Sequence, residues 1–234
     1  MNFIKITLTL SLFIFFESCT KEITPSVLTP ENPALNQIRY LALGDSYTIG
    51  EKVATNERYP EQLVEALTKE GFKFQSLRTI ARTGWTTDEL SNAITDAKIN
   101  DSTYTMVSLL IGVNNQYRGR AIETYPAQFE GLLQKAIQFA GGKKEKVFVV
   151  SIPDYAFTSF GNGNAQISAG IDAYNKVNKE ISDKYGITYF NITPISREGL
   201  SDKELVATDG LHPSGKQYKR WVDLMITDVK KLLK

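Results

Sequence analysis

Short apolar runs and amphipathic stretches alternate along the chain from residue 37 onward. The runs are rich in β-branched residues and carry few charges, which is typical of strands buried on both faces of a parallel sheet. The strand-like runs are residues 39–43, 72–80, 105–111, 147–152 and 187–191. The stretches with apolar residues at helical spacing are residues 59–70, 86–98, 123–140, 167–185 and 215–233. This order predicts one α/β domain over residues 37–234, a three-layer α/β/α sandwich around a mostly parallel, five-stranded sheet.

The pattern before residue 37 is different. Residues 6–16 form an apolar run of eleven residues behind Lys5, too short to span a bilayer as a helix but typical of the core of a secretory signal. Cys19 follows small Ser18, and the segment resembles a bacterial lipoprotein signal, although Phe16 and Glu17 depart from the usual pattern. This resemblance implies a signal peptide over residues 1–18 and a lipid on Cys19, which would hold the protein to a membrane of the bacterial cell envelope. A signal peptide with a coincidental cysteine and an uncleaved anchor are the alternatives.

Residues 20–36 contain three prolines and little periodicity, so residues 19–36 are predicted to be the anchor cysteine and an extended linker.

Composition narrows the classes of function. Apolar residues make up 42% of the chain, charged residues 23%, and the net charge is +1, which favours a globular domain and gives no reason to expect nucleic acid as a partner. The chain has one cysteine, Cys19, and one histidine, His212. It therefore has no internal disulfide and too few ligands for a usual structural zinc site, and no metal or cofactor is expected. Any mechanism that needs a histidine has only His212.

Polar and glycine-containing segments follow the predicted strands. Residues 44–50 (GDSYTIG), 83–85 (TGW) and 112–115 (GVNN) come after the first three strands, and residues 209–213 (DGLHP) precede the last helix. Ligands of open parallel sheets bind at the carboxyl ends of the strands, so these segments are predicted to meet in one crevice. Residues 153–166, rich in Gly and Asn, are expected to form a flexible loop nearby.

These four segments resemble, in order, the motif blocks of the SGNH or GDSL-type serine hydrolases, and the resemblance covers roughly residues 38–225. It implies a flavodoxin-like fold and hydrolysis of carboxylic esters or thioesters by an exported, lipolytic type of enzyme. Two positions depart from the family pattern. Tyr47 stands where the eponymous motif has Leu, and Asn115 stands where many members have Asp. Neither would supply the nucleophile or the base, so both departures are expected to modify the activity rather than abolish it.

The residue types suit this chemistry. A serine hydroxyl needs an adjacent base, and histidine has the ordinary pKa and the two ring nitrogens for that role. Asp209, three residues before His212, would accept a hydrogen bond from one ring nitrogen and leave the other facing Ser46. Ser46, His212 and Asp209 are thus the predicted catalytic residues, and Asp45 is expected only to hold the turn.

The oxyanion formed on attack needs preorganised donors. The backbone N–H groups of Ser46 and Gly84 and the side-chain amide of Asn114 are the predicted donors. Each of these residues alone would be an ordinary turn or loop residue, and only their combined order supports the hypothesis.

The substrate stays open between two subclasses, a lysophospholipase-like or arylesterase-like enzyme and a carbohydrate O-acetylesterase. The residues considered for an acyl groove, with ordinary core or loop packing as the alternative, are Ile111, Tyr117, Tyr155, Phe157 and Phe160. Arg118 and Arg120 are candidates for contacting an anionic or sugar group, or else are solvated loop residues.

Two alternatives to an enzyme are a non-catalytic binding module and a structural lipoprotein of the cell envelope. The pattern determines neither the acyl chain nor the oligomeric state.

Overall fold

The computed structural model describes Met1, residues 37–99 and residues 103–234. The predicted signal peptide, Cys19 and the linker lie outside these described residues, apart from Met1. A compact unit extends over Pro33–Lys234, and it holds all the secondary structure described below.

One parallel sheet forms the centre of this unit. In the described residues its strands are β1 (Gln37–Gly44), β2 (Lys73–Ala81), β3 (Met106–Leu110), β4 (Val147–Val150) and β5 (Thr188–Phe190). The order across the sheet is β2-β1-β3-β4-β5, and every neighbouring pair is parallel. This confirms the predicted five-stranded sheet, and the order is that of flavodoxin-like folds.

Helices cover both faces of the sheet. The α-helices of the described residues are α1 (Ser46–Ile49), α2 (Tyr59–Lys69), α3 (Thr87–Asp96), α4 (Val113–Tyr117), α5 (Tyr125–Phe139), α6 (Ala165–Tyr185), α7 (Thr193–Ser196) and α8 (Gly215–Leu232). Helices α2 and α8 pack together as one layer, while α3, α5 and α6 pack as the other. The predicted three-layer sandwich is therefore confirmed.

The strands are apolar because both of their faces are covered. Every residue of β3 and β4 is buried, and these strands read as continuous apolar runs in the sequence. Strand β2 lies at an edge and exposes several residues. Large side chains such as Tyr59 and Trp221 fill the layer beneath the sheet without solvent exposure.

The strand order reverses between β1 and β3, because the chain turns from β1 toward β2 and from β3 toward β4. Such a reversal opens a crevice at the carboxyl ends of the two strands. The segments that follow β1 and β3 therefore meet there.

The loop after β4 is packed more tightly than the sequence suggests. Asp154 is fully buried; it accepts the backbone N–H of Ala156 at 3.0 Å, and its other oxygen accepts Arg197 Nε at 2.9 Å. The expected flexible loop over 153–166 instead contains a 3₁₀ turn, Tyr155–Phe157, and the first two residues of α6. Polar residues in this loop pair with one another, a pattern that Gly and Asn content does not reveal.

Within residues 37–99 and 103–234, no helix combines the length and the apolar character that crossing a membrane requires.

Candidate active site

The four polar segments meet in a single cleft of about 250 Å³, at the place between β1 and β3 where the strand order reverses. Ser46 begins α1 directly after β1, Gly84 lies between β2 and α3, Asn114 lies in α4 after β3, and His212 lies in the loop before α8. All four line this cleft. The structure thus brings together residues that are up to 166 positions apart in the chain.

The turn that carries Ser46 is held rigidly. Asp45 caps α1, and its side chain accepts the backbone N–H of Tyr47 at 3.0 Å, as predicted. Gly44 packs so closely against the rest of the turn that a Cβ there would lie 2.0 Å from Thr48 Oγ1 and 2.5 Å from the carbonyl oxygen of Leu110. A residue other than glycine at position 44 would push Ser46 away from β3.

The carboxyl group of Asp45 is buried and bonds to the backbone of its own turn. Burial raises the pKa of Asp45 to about 8, although hydrogen bonds from its own backbone and from that of Tyr47 act against the shift. At neutral pH this carboxyl is therefore mostly protonated, which fits a turn-holding group in a fully buried position.

His212 and Asp209 form a close pair. His212 Nδ1 lies 2.6 Å from Asp209 Oδ2, and Asp209 Oδ1 accepts the backbone N–H groups of Leu211 and His212, each at 3.0 Å. Burial raises the pKa of Asp209, but the hydrogen bonds from His212 and Leu211 outweigh it, so the pKa lies below its ordinary value. The carboxylate therefore stays ionised and holds the imidazole through Nδ1, which leaves Nε2 for the cleft.

The Ser46 side chain is buried and makes no hydrogen bond to any described residue. His212 lines the same cleft. Hydrogen bonds between nucleophile and base are often long in the absence of substrate and tighten on binding, so this arrangement is compatible with a serine and its base.

The three predicted oxyanion donors belong to residues that line the cleft. Within the described residues, the N–H groups of Ser46 and Gly84 donate to no other backbone group. Asn114 Nδ2 donates to the carbonyl oxygen of Trp85 at 3.0 Å, which orients the amide and leaves its second hydrogen available. Gly84 has φ +86°, a conformation that favours glycine. A Cβ at position 84 would meet only Arg118, at 3.5 Å, so the positive φ rather than a clash within the protein favours glycine there.

Asn115 has a structural role that the sequence does not reveal. It is buried, its Oδ1 accepts the backbone N–H of Thr87 at 3.0 Å, and its Nδ2 donates to Thr87 Oγ1 at 2.8 Å. Asn115 thereby ties α4 to the start of α3 and fixes the loop that contains Gly84.

The walls of the cleft are largely apolar. Of the predicted groove residues, Tyr117, Tyr155 and Phe160 line it. Their ring centroids are 6.1 to 6.3 Å apart. Ile111 is fully buried in the core, and neither Ile111 nor Phe157 lines the cleft, so those two expectations are wrong. The other lining residues lie within the four segments predicted to meet here, although none was assigned to the groove: Tyr47, Thr83, Val113 and Leu211.

The two arginines beside α4 are engaged in ion pairs. Arg118 donates to the carbonyl oxygen of Gly84 at 2.5 Å and to Glu89 at 3.2 Å. Arg120 pairs with Asp88 at 3.0 Å. Among the described residues no lysine or arginine lines the cleft. Both arginines support the loops around the site, and the suggested contact with an anionic or sugar group has no support here.

A family model described as the GDSL-like Lipase/Acylhydrolase family matches residues 42–220. Solved structures share the fold at low identity. One titled TesA is 18% identical over 82% of this chain and 98% of its own, with a TM-score of 0.65. The esterase EstA from Pseudoalteromonas sp. is 19% identical over 82% and 96%, with a TM-score of 0.62. Axe2, an acetylxylan esterase from Geobacillus stearothermophilus, is 18% identical over 82% and 94%, with a TM-score of 0.62. Among curated protein sequences, none matches the chain significantly.

Proposed function

The chain belongs to the GDSL-like lipase/acylhydrolase family and is a hydrolase of ester bonds, and from this premise we propose that it cleaves carboxylic esters through an acyl-enzyme on Ser46. The observation that carries the proposal is the cleft in which Ser46 and His212 face the same space, with His212 held by Asp209 at 2.6 Å. The test is the loss of activity and of covalent labelling in Ser46→Ala.

The proposed reaction has two halves. His212 Nε2 takes the proton of Ser46 as its oxygen attacks the ester carbonyl, and then gives that proton to the leaving alcohol as the C–O bond breaks. In the second half His212 takes a proton from water as the water oxygen attacks the acyl-enzyme. His212 then returns that proton to Ser46 Oγ as the acyl C–O bond breaks and the acid leaves. The ionised Asp209 stabilises the imidazolium in both halves.

The oxyanion of each tetrahedral intermediate would be bound by the N–H groups of Ser46 and Gly84 and by Asn114 Nδ2. The hydrogen bond from Asn114 to Trp85 supports this role because it fixes the amide plane. These donors act on charge that develops in the transition state, so they lower the barrier more than they tighten substrate binding.

Asn114→Ala is therefore expected to lower kcat by about 10²- to 10³-fold with little change in KM. Steady-state kinetics on a short p-nitrophenyl ester measures both values. Asn92→Ala is the matched control, because Asn92 is exposed on α3. A kcat within about threefold of the wild-type value would rule out Asn114 as an oxyanion donor.

We further propose that the substrate carries an apolar acyl or aryl group rather than a free sugar. The exposed rings of Tyr117 (58%) and Phe160 (53%), beside buried Tyr155, form an aromatic wall at the cleft. Covering these rings with an apolar group would remove their surface from water. The cleft volume of about 250 Å³ is at the small end for ligand sites, which favours a short or medium acyl group.

An acyl-chain series from acetate to octanoate, run beside acetylated xylo-oligosaccharides, tests this proposal. We expect kcat/KM to rise from acetate to a medium chain. Combining Tyr117→Ala with Phe160→Ala should reduce kcat/KM for the medium-chain ester about tenfold or more and reduce the value for acetate less. Leu224→Ala, an exposed apolar residue on α8, is the control. A higher kcat/KM for the acetylated sugars would instead favour the alternative, a carbohydrate O-acetylesterase.

We also propose that Cys19 carries a lipid and that the enzyme works at a membrane of the cell envelope. The support is the apolar run over 6–16 that ends shortly before the single cysteine of the chain. Cys19→Ala should release the protein from the membrane fraction of a bacterial host, whereas Ser18→Ala, which keeps the cysteine and a small neighbour, should leave it bound. Unchanged membrane association of Cys19→Ala would refute lipidation.

A further inference from the structure

Tyr47 is the side chain whose ring packs against the ring of His212. It follows Ser46 in α1 and is 3% exposed. Its ring centroid lies 5.6 Å from that of the His212 imidazole, with the two planes inclined by 55°. Tyr47 also lines the cleft. A single turn of helix therefore carries both the nucleophile and the ring that contacts the base.

His212 needs a second contact to keep its orientation. Its bond to Asp209 holds Nδ1, but one hydrogen bond leaves the ring free to tilt about that atom. The Tyr47 ring packs against the imidazole and so restricts this tilt. Such aromatic pairs contribute stability beyond the area that they bury. Leucine, which the family motif has at position 47, has no flat face to present to an imidazole.

The charge that His212 gains during the reaction adds a second effect. When the base takes the Ser46 proton it becomes an imidazolium, and a cation over the face of an aromatic ring within about 6 Å of its centroid is attracted by that ring. No lysine or arginine of the described residues lines the cleft to compete for that ring. The attraction is larger in the charged state than in the neutral one, so it favours the transition state over the bound substrate.

The Tyr47 hydroxyl is not needed for this effect. Burial raises the pKa of Tyr47 well above its ordinary value, with a further contribution from Asp45, and no hydrogen bond acts on the phenol. The phenol therefore stays un-ionised, and the structure packs its ring, not its hydroxyl, against His212.

We propose that Tyr47 is a positioning residue that orients His212 through its ring and stabilises the imidazolium formed in the transition state. This inference rests on the proposed role of His212 as the general base. It makes position 47, where the chain departs from the family motif, a determinant of turnover rather than of substrate binding.

The test compares Tyr47→Leu with Tyr47→Phe on one p-nitrophenyl ester. We expect Tyr47→Leu to lower kcat by about 2- to 30-fold while KM changes less than kcat. Tyr47→Phe keeps the ring and should retain kcat within about twofold. Thermal unfolding of both variants checks that they fold. A loss in Tyr47→Phe as large as that in Tyr47→Leu would overturn the proposal, as would a rise in KM at constant kcat in Tyr47→Leu.

A double-mutant cycle separates this proposal from the assignment of the base. In a His212→Ala background, Tyr47→Leu should cause no further loss of residual kcat, because the two residues act on the same proton transfer. Equal losses from Tyr47→Leu in both backgrounds would overturn the positioning role alone. Full activity of His212→Ala would instead refute His212 as the base, and the role of Tyr47 with it.

Discussion

Ser46→Ala should reduce ester hydrolysis by about 10⁴-fold or more and abolish labelling by a fluorophosphonate probe. Alanine removes the only atom that forms the acyl bond, and neither His212 nor the oxyanion donors can replace it. The remaining rate of hydrolysis would come from the oxyanion donors and from substrate binding, because both can still promote direct attack by water. The fold should be unaffected, because the Ser46 side chain makes no hydrogen bond to another described residue.

The labelling experiment uses the full chain, and mass spectrometry locates the adduct. Ser76→Ala is the matched control, because Ser76 is an exposed serine on the edge strand β2. The control should be labelled and should turn over substrate as the wild type does. Labelling that survives in Ser46→Ala would refute the nucleophile assignment, and with it the acyl-enzyme mechanism.

His212→Ala is expected to cause a loss of kcat of similar size, about 10⁴-fold or more. No second histidine can take over, since His212 is the only one in the sequence.

Asp209→Asn should lower kcat by up to about 10⁴-fold. An asparagine at position 209 places an amide opposite Nδ1 and removes the negative charge that stabilises the imidazolium.

Single-turnover kinetics shows which step is lost. Both variants should be slow in forming the acyl-enzyme, because proton transfer from Ser46 precedes bond formation. Asp228→Asn, an exposed aspartate that pairs with Lys231 on α8, is the control and should behave as the wild type. Acylation at the normal rate in His212→Ala would contradict the role of His212, and normal kcat in Asp209→Asn would contradict that of Asp209.

The longer elements could be predicted because their patterns are periodic. The interval 59–70 was predicted as a helix, and α2 is Tyr59–Lys69; the interval 147–152 was predicted as a strand, and β4 is Val147–Val150. The short helices α1, α4 and α7 were not predicted. They contain four or five residues, fewer than two turns, so no repeat of apolar positions exists to reveal them. Two of them carry Ser46 and Asn114.

The amino-acid sequence alone predicted the alternation of strands and long helices, the set of candidate residues and the single histidine available as a base. These follow from local periodicity and from counting, which need no knowledge of distance. Only the tertiary structure decided which side chains share the cleft. Ile111 and Phe157 do not line the cleft, whereas Tyr47 and Leu211 do. Arg118 is hydrogen-bonded to Gly84 and Glu89. Such contacts join residues far apart in the chain, and they depend on how the layers pack rather than on any pattern within one segment.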